Sequence, residues 1–545
     1  MSKLLNYFKI LIKFATGNKQ SKLIRAKKSN NPKKKILIPT SAGGLQSILA
    51  FESLVGNILQ HEGNQVDFLL CDEILPGCIM STIFNIGNRE FEKYGSKKIC
   101  SHCFQRSNEY LKKYNLNVIR LSELVDKEVL NKYDEKIFLN NSFQDLKNFR
   151  LNGVNLGEHA NSGCIRYLTT TDFNKFLNYK KIFIKYLKSS ILTQIACEKL
   201  FSKKNYDHVF INHGIYVPQG VIIDTAKVNN LKVSTWCFAY KKNSVWVSPN
   251  DTYHRELINE DEVKWNNFDF TKEIENKIDE YLKSRQTGQN DWEFYFDNPN
   301  FNIDKYFQKR QIDPQKPIIT LATNMLWDAQ VYFPTNFFKD MLEWLYFTID
   351  YFIKRDDLQL VIRIHPAEAN KTKKSIQRLE ENLKEKYPDL PKNIFVVTPE
   401  DSVSTYAILE KSNCLLVYAS KIAVEAAAMG VPTIVAGECF LKNKKISIDV
   451  KTKTEYLNTL DNLPFLKNFI TKEKLDRAKK YAYHFWFRRT IPIKSFYEKK
   501  NKSPFVGIKE NYLELYKNKQ DKGLNMIINS IINNKDFIYK DEKYN

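Results

Sequence analysis

Short apolar runs ending in small or polar residues alternate along this chain with segments of helical period. Lys35–Thr40 (Lys-Ile-Leu-Ile-Pro-Thr) reads as a buried strand, Ser41-Ala-Gly-Gly44 as a turn, and Leu45, Ile48, Leu49, Phe51, Leu54, Ile58 and Leu59 as one face of a helix. Val66–Cys71 is a second strand at βαβ distance, and 207–212 and 232–236 continue the series, separated by helical stretches over 183–201 and 219–228. The alternation restarts at Pro317–Ala322 and runs through strands at 358–364, 393–397, 414–418 and 432–436, with helices over 337–352 and 422–429. Strands interleaved with helices of this length predict parallel sheets, and two α/β domains in tandem are the economical reading. Lys283–Asp291 contains no apolar residue and reads as the connection between them. The expected boundaries are a leader over 1–34, a first Rossmann-like domain over 35–285, a linker over 286–315, a second Rossmann-like domain over 316–480, and a helical crossover and tail over 481–545.

Length and charge refine this picture. The 545 residues are enough for several domains with real cores, and ordinary shares of hydrophobic (43%) and charged (27%) residues exclude collagen, coiled coil and a largely disordered chain. The net charge is +22, and half of it lies in the first 35 residues, which hold eleven Lys or Arg and no acid before Glu52. There Leu4, Phe8, Leu11, Ile12 and Ala15 fall at helical spacing among the lysines, so residues 1–30 are expected to contact an anionic membrane surface. A solvated tail is the bland alternative. A nucleic-acid arm would leave those apolar side chains without purpose, so no nucleic-acid partner is expected. The longest weakly polar run, 422–441, is broken by Glu425 and Glu438, and no cleavable signal is visible. These features place the chain in the cytoplasm, peripheral to the inner membrane face.

Nine scattered cysteines argue against a disulfide framework. Four of them cluster as Cys71-x6-Cys78 and Cys100-x2-Cys103, spacings that could close a structural zinc site, with protonated thiols as the alternative. No Walker loop, GxGxxG, HExxH, GxSxG or DxD in strand context is present. No metal or other cofactor is therefore expected in the chemistry itself.

Candidate chemistry collects where strands end. In the second half, Arg363-Ile-His365-Pro-Ala-Glu follows a strand, and ligands of open α/β sheets bind at such carboxyl ends. Tyr418-Ala-Ser420-Lys421 opens an Ala-rich helix, so the Ser420 hydroxyl and Lys421 ammonium can meet a phosphate. Glu425, one turn further, could accept from ribose hydroxyls, and Asn324 closes the first strand of this half where a glycine-rich turn would otherwise stand. In the first half, the Gly43–Gly44 turn offers amides to an anion, and Asn212-His213-Gly214 follows a strand and points His213 at the same end. His254 is a further candidate or a helix cap. Asp251 is a candidate base or a cap, and His159 and Arg166 are cations that suit an acidic sugar.

Tyr418–Pro432 resembles the nucleotide-sugar motif of GT-B glycosyltransferases. Taken with Arg-Ile-His-Pro and Asp401–Tyr406, the region over roughly 316–440 is similar to bacterial capsule and surface-polysaccharide glycosyltransferases, which include Kdo and sialic-acid transferases using CMP-sugars. The resemblance implies a GT-B fold of two Rossmann-type domains. It also implies donor-binding roles for His365, Ser404, Ser420, Lys421 and Glu425, joined by Arg363 and Asn324. The first domain would bind the acceptor through Gly43, Gly44, His159, Arg166 and His254, with His213 or Asp251 as base. The implied partners are a CMP- or UDP-sugar and a surface-polysaccharide or lipid-linked acceptor. A nucleotide-sugar 2-epimerase of the same fold and a non-catalytic basic scaffold are the rival readings.

Overall fold

The computed structural model describes residues 23–288, 290–296, 298–328, 336–370, 375–497 and 507–540. One sheet takes β1 (Lys35–Thr40), β2 (Gln65–Leu70), β3 (Asn117–Arg120), β6 (His208–Asn212), β7 (Lys232–Phe238) and β8 (Ser244–Pro249), while β4 (Arg150–Leu151) and β5 (Val154–Asn155) form a small hairpin apart. The second sheet takes β9 (Ile318–Ala322), β10 (Gln359–Arg363), β11 (Ile394–Val397), β12 (Cys414–Val417), β13 (Thr433–Val435) and β14 (Ile448–Asp449). A last strand, β15 (Ile491–Pro492), pairs antiparallel with β8 at the edge of the first sheet. The chain is thus an α/β protein with two Rossmann-like, mainly parallel sheets.

Two compact units contain these sheets. The first comprises the chain through Leu168, Phe173–Glu256 and Arg489–Tyr539, and the second comprises Thr169–Asp172 and Leu257–Arg488. The expected linker over 286–315 is therefore not a linker. The units divide at Glu256 and Leu257, and the helix Lys272–Thr287 runs through most of the polar stretch. The reason is electrostatic: Arg285 and Asp291, which read as solvated charges, are buried as an ion pair.

In the first sheet the order is β15-β8-β7-β6-β1-β2-β3. In the second it is β11-β10-β9-β12-β13-β14. Each first strand, β1 or β9, is flanked by strands whose connections leave in opposite directions, so each sheet has a switch point: between β1 and β6, and between β9 and β12. Register sharpens the second one, because Ala322 lies opposite both Arg363 and Val417, which ends β9, β10 and β12 at one level. The strands β9, β10 and β12 are buried throughout and mostly apolar, since both faces are covered. Ile319, Leu321, Leu360, Ile362 and Leu416 pack with Trp344 and Tyr456 in one core.

The leader expected over 1–34 lies mostly outside the described residues, including Leu4–Ala15. Its last part is not helical. Leu23 and Ala26 are buried, the Ile24 amide donates to the Tyr512 hydroxyl (2.8 Å) and Arg25 Nε donates to the Lys113 carbonyl (2.9 Å), so the chain enters the first unit extended. Among the described residues no helix is long and apolar enough to cross a membrane.

The aromatic run Tyr481–Phe487 is core, with Tyr481, Tyr483, Phe485 and Trp486 buried. Arg488, set over the Phe268 ring at 4.5 Å, is buried with them.

Candidate functional site

At the carboxyl ends of β9, β10 and β12 the backbone brings Asn324, His365 and Ser420–Lys421 together. The Asn324 amide locks the turn after β12: Nδ2 donates to the Ala419 carbonyl (3.2 Å) and Oδ1 accepts the Ala419 amide (3.3 Å). His365 follows β10 by two residues. Its amide donates to the Thr323 hydroxyl (3.1 Å), and its Nδ1 accepts from the Ala367 amide (3.2 Å). With Nδ1 accepting, the neutral ring carries its proton on Nε2. Pro366 ends the strand and sets the turn.

Other residues proposed from sequence for this site are placed differently. Arg363 is 2% exposed, and its guanidinium is consumed by the loop after β11, donating to the Thr398 carbonyl (2.6 Å), the Asp401 carbonyl (3.1 Å) and Thr405 Oγ1 (3.2 Å). Burial pushes its pKa down to about 10. It braces the site and does not reach a phosphate. Ser404 caps the helix Thr405–Glu410 through the Ala407 amide (3.4 Å).

Glu425 is the largest correction. It is fully buried in the two-turn helix Ile422–Ala428, whose alanines pack closely beneath. Its Oε1 accepts Arg285 Nε at 2.6 Å, and its Oε2 accepts the Tyr406 hydroxyl at 3.3 Å. Arg285 also pairs with Asp291 and lies over the Trp486 ring at 4.3 Å. Burial opposes the charge on Glu425, but Arg285 and then Lys421 outweigh it and hold the carboxyl below its ordinary range. Such a carboxylate is engaged inside the protein and is not offered to a ribose.

Lys421 is the least buried member of this charge cluster, and its ammonium lies over the Trp486 ring at 5.7 Å. Its side chain is 24% exposed and its ammonium stands 3.5 Å from Glu425 Oε1. Burial and the neighbouring Arg285 lower its pKa, a bias that an arriving anion reverses.

In the first unit the structure gathers three of the proposed residues. Arg166 Nη1 donates to the Tyr216 hydroxyl (2.9 Å) and its guanidinium lies over that ring at 4.7 Å. The His213 ring is 5.2 Å from Tyr216 and 6.2 Å from His254. His213 itself has a φ of 63°, followed by Gly214 at 92°, so the chain turns sharply at the end of β6.

The remaining candidates fall elsewhere. His159 is 2% exposed and bonds Asp224 Oδ2 through Nε2 (2.8 Å), so it is a buried, hydrogen-bonded histidine and not a sugar ligand. Asp251 Oδ2 pairs with Lys227 (3.1 Å) and its Oδ1 accepts the Thr252 amide (2.7 Å), which spends it on its own turn and not on His213. Gly43 and Gly44 are buried under the helix Lys97–Lys113: a Cβ on Gly43 would stand 2.1 Å from Ser107 Oγ, and the Gly44 amide donates to Cys103 Sγ (3.1 Å). Close helix approach requires the glycine at 43, and the Gly44 amide is taken by Cys103 and not by an anion.

The four clustered cysteines lie within electrostatic reach of one another, and burial followed by neighbouring thiols raises the pKa of Cys71, Cys100 and Cys103. Their sulfurs have protein partners. Cys100 Sγ donates to the Ser96 carbonyl (3.1 Å), Cys78 Sγ to the Ser96 hydroxyl (3.7 Å), and Cys103 accepts from Gly44. Among the described residues no group of three or more His, Cys, Asp or Glu is arranged to hold a metal ion, so Cys71, Cys78, Cys100 and Cys103 do not fit the expected zinc site.

Sequence reading passes over two buried acids. Glu368, three residues after His365, is raised to about 7 by burial and accepts the Leu379 amide at 3.2 Å. Glu52 sits fully buried in the helix Gln46–His61, accepts the Trp236 indole N–H (3.2 Å), and is raised to about 8 by burial despite the Thr40 hydroxyl, Trp236 and the Asn212 amide. The signal was present: an acid in the apolar face of a helix. A carboxyl whose folded pKa exceeds its ordinary 4.5 binds more protons folded than unfolded between those values, so its contribution to stability falls as pH rises from about 4.5 to about 8. Glu52→Gln is expected to remove that slope, making the variant more stable than the parent at pH 8.5 by on the order of a few kcal/mol and no more stable at pH 4.5, read from denaturant unfolding at both pH values.

No family model matches the chain, and no curated protein matches it. Solved structures similar to it include the β-Kdo 2,4-transferase KpsC of Thermosulfurimonas dismutans, at 12% identity and TM-score 0.35, over 51% of this chain and 79% of that one. Sucrose-phosphate synthase from Thermosynechococcus elongatus is similar at 12% identity and TM-score 0.31, over 83% and 93%. UDP-GlcNAc 2-epimerase from Neisseria meningitidis, bound to UDP-GlcNAc, is similar at 9% identity and TM-score 0.24, over 82% and 94%.

Proposed function

We propose that this protein is a glycosyltransferase that moves a sugar from a nucleotide-activated donor to a surface-polysaccharide or lipid-linked glycan. The observation that carries the reading is the level ending of β9, β10 and β12, which sets His365, Lys421 and Ser420 around one switch point with Asn324 pinning the turn. An Nε2–H donor and a partly exposed lysine suit a phosphate, and they meet the charge that grows on a departing nucleotide without invoking a metal. Glu425, Arg285 and Arg363 then act as braces, a role that differs from the one the sequence resemblance implies.

The acceptor belongs to the first unit, where Arg166, Tyr216, His213 and His254 present cationic and aromatic groups suited to an acidic sugar. An inverting transfer needs a base for the acceptor hydroxyl, whose oxygen bonds the anomeric carbon, and His213 is the candidate for that role. The bond from that carbon to the donor phosphate breaks, and the nucleotide leaves with its electron pair. In this reading residues 1–30 keep the enzyme at the cytoplasmic membrane face, where a lipid-linked glycan is available.

The reading is tested by incubating the full chain with CMP- and UDP-sugars, with and without an acidic oligosaccharide acceptor, and following both nucleotide release and the sugar. Acceptor-dependent release with a lengthened oligosaccharide is expected. Interconversion of the free sugar nucleotide without acceptor would make it an epimerase, and no turnover of any donor would remove the enzymatic reading.

A further inference from the structure

The segment Asp291–Phe296 reads Asp-Trp-Glu-Phe-Tyr-Phe, four aromatics in six residues, within what the polar pattern marks as a connection. It is tied down on both sides. Asp291 is buried, pairs with Arg285 and accepts the Tyr281 hydroxyl at 2.9 Å. Further on, the Asn300 amide donates to the Ser402 carbonyl and the Ser404 amide donates to the Asn300 carbonyl, each at 2.8 Å. Between these ties the strap crosses the carboxyl end of β10. The Tyr295 ring stands nearly perpendicular to the His365 ring, with centroids 5.2 Å apart, and the Arg363 guanidinium lies over the Phe296 ring at 5.7 Å.

Rings of this size normally reach the core, as Trp265, Trp344 and Trp486 do here. Trp292, Phe294, Tyr295 and Phe296 are only half-buried, although the strap is held at both ends. A tethered row of partly exposed aromatics beside a phosphate-binding pair is the arrangement that receives a flat heterocycle. The phosphate and the base of one nucleotide lie within a few ångströms of each other across the ribose, so the base of a nucleotide held by His365 and Lys421 falls within the strap's reach.

Resting on the nucleotide-sugar reading, we infer that the strap 291–296 is the nucleobase platform of the donor site, and that Tyr295 beside His365 supplies the stacking ring. The other flat partner available, the transferred sugar, is separated by the test.

CMP, UMP and ribose 5-phosphate are titrated calorimetrically into the full chain and into Tyr295→Ala and Tyr295→Phe. Loss of one base-stacking ring raises the nucleotide Kd about 5- to 100-fold in Tyr295→Ala, while Tyr295→Phe stays within about twofold. Ribose 5-phosphate, which has no base, binds all three alike. If Tyr295→Ala does not fold, Tyr295→Leu keeps apolar volume without a π-face and gives the same comparison. Equal nucleotide affinity in parent and Tyr295→Ala overturns the strap and leaves the donor reading standing. An equal loss for ribose 5-phosphate also overturns it, since the defect then lies in the phosphate or sugar contacts. No nucleotide binding by the parent removes both.

Discussion

Replacing Arg285 by alanine is expected to cost the protein about 3–5 kcal/mol, read from denaturant unfolding. Arg285 is 5% exposed on its side chain, Asp291 3% and Glu425 0%, so the substitution strands two carboxylates in the interior with Lys421 as their remaining neighbouring cation. The cost comes from the stranded charges more than from the lost attraction. A double variant, Arg285→Met with Glu425→Gln, is therefore expected to recover much of the loss, because it removes a charge of each sign together. The pH dependence carries a sign. The carboxyl of Glu425 is held below its ordinary value, so the stability it contributes is present above about pH 4.5 and is lost on acidification. Arg285→Ala weakens that hold, and the difference between parent and variant should shrink as the pH falls below 4.5. A loss under about 1 kcal/mol would mean that the cluster is hydrated and that Glu425 is open to a ligand after all.

His213→Asn is expected to lower acceptor-dependent transfer by at least about 100-fold while leaving nucleotide binding and the melting temperature in place. Asparagine is the informative substitute, since His213 has a φ of 63° and Asn is among the few residues that tolerate the left-handed region without glycine's added freedom. Alanine there would combine a chemical loss with backbone strain. A pH–rate profile separates the roles: loss of the limb on the acidic side in His213→Asn identifies the base. Turnover unchanged by His213→Asn would assign the imidazole to the aromatic cluster with Tyr216, Tyr253 and His254 and leave the base elsewhere.

Much of the architecture was legible from local pattern. Strands β1, β9, β10 and β12 are apolar runs bounded by turn residues, and the two sheets follow from their alternation with helices. The placement of His365 and Lys421 was legible for the same reason, since each follows the end of a buried strand. What escaped depends on partners distant in sequence. Glu425 in an alanine-rich helix announces burial, but nothing near it announces that its cation arrives from Arg285, 140 residues earlier. The stretch 283–291 carries the composition of a solvated linker because buried ion pairs and exposed charges are spelled with the same letters. Arg363 failed as a ligand in the same way. The motif shows its residue type, while the three loop oxygens that consume it are set only by the fold. Gly43 read as part of an anion-binding turn, but the group that comes close to it is Ser107 of a helix and not a phosphate.

The central claim is that the switch point of the second sheet holds a nucleotide, and thermal unfolding of the full chain with CMP, UDP, GDP and ADP tests it most directly, with Lys421→Ala alongside. A ligand that binds only the folded protein raises the melting temperature by mass action, and at 100 times its Kd it contributes about 2.7 kcal/mol. One nucleotide of the four is expected to raise the parent's transition. Lys421→Ala leaves Arg285 alone against Glu425 and Asp291 and should melt below the parent, so its shifts are read against its own ligand-free transition, and it should need roughly 10-fold or more nucleotide for the same shift. No shift with any nucleotide, or a shift of equal size in Lys421→Ala, would contradict the assignment of this site.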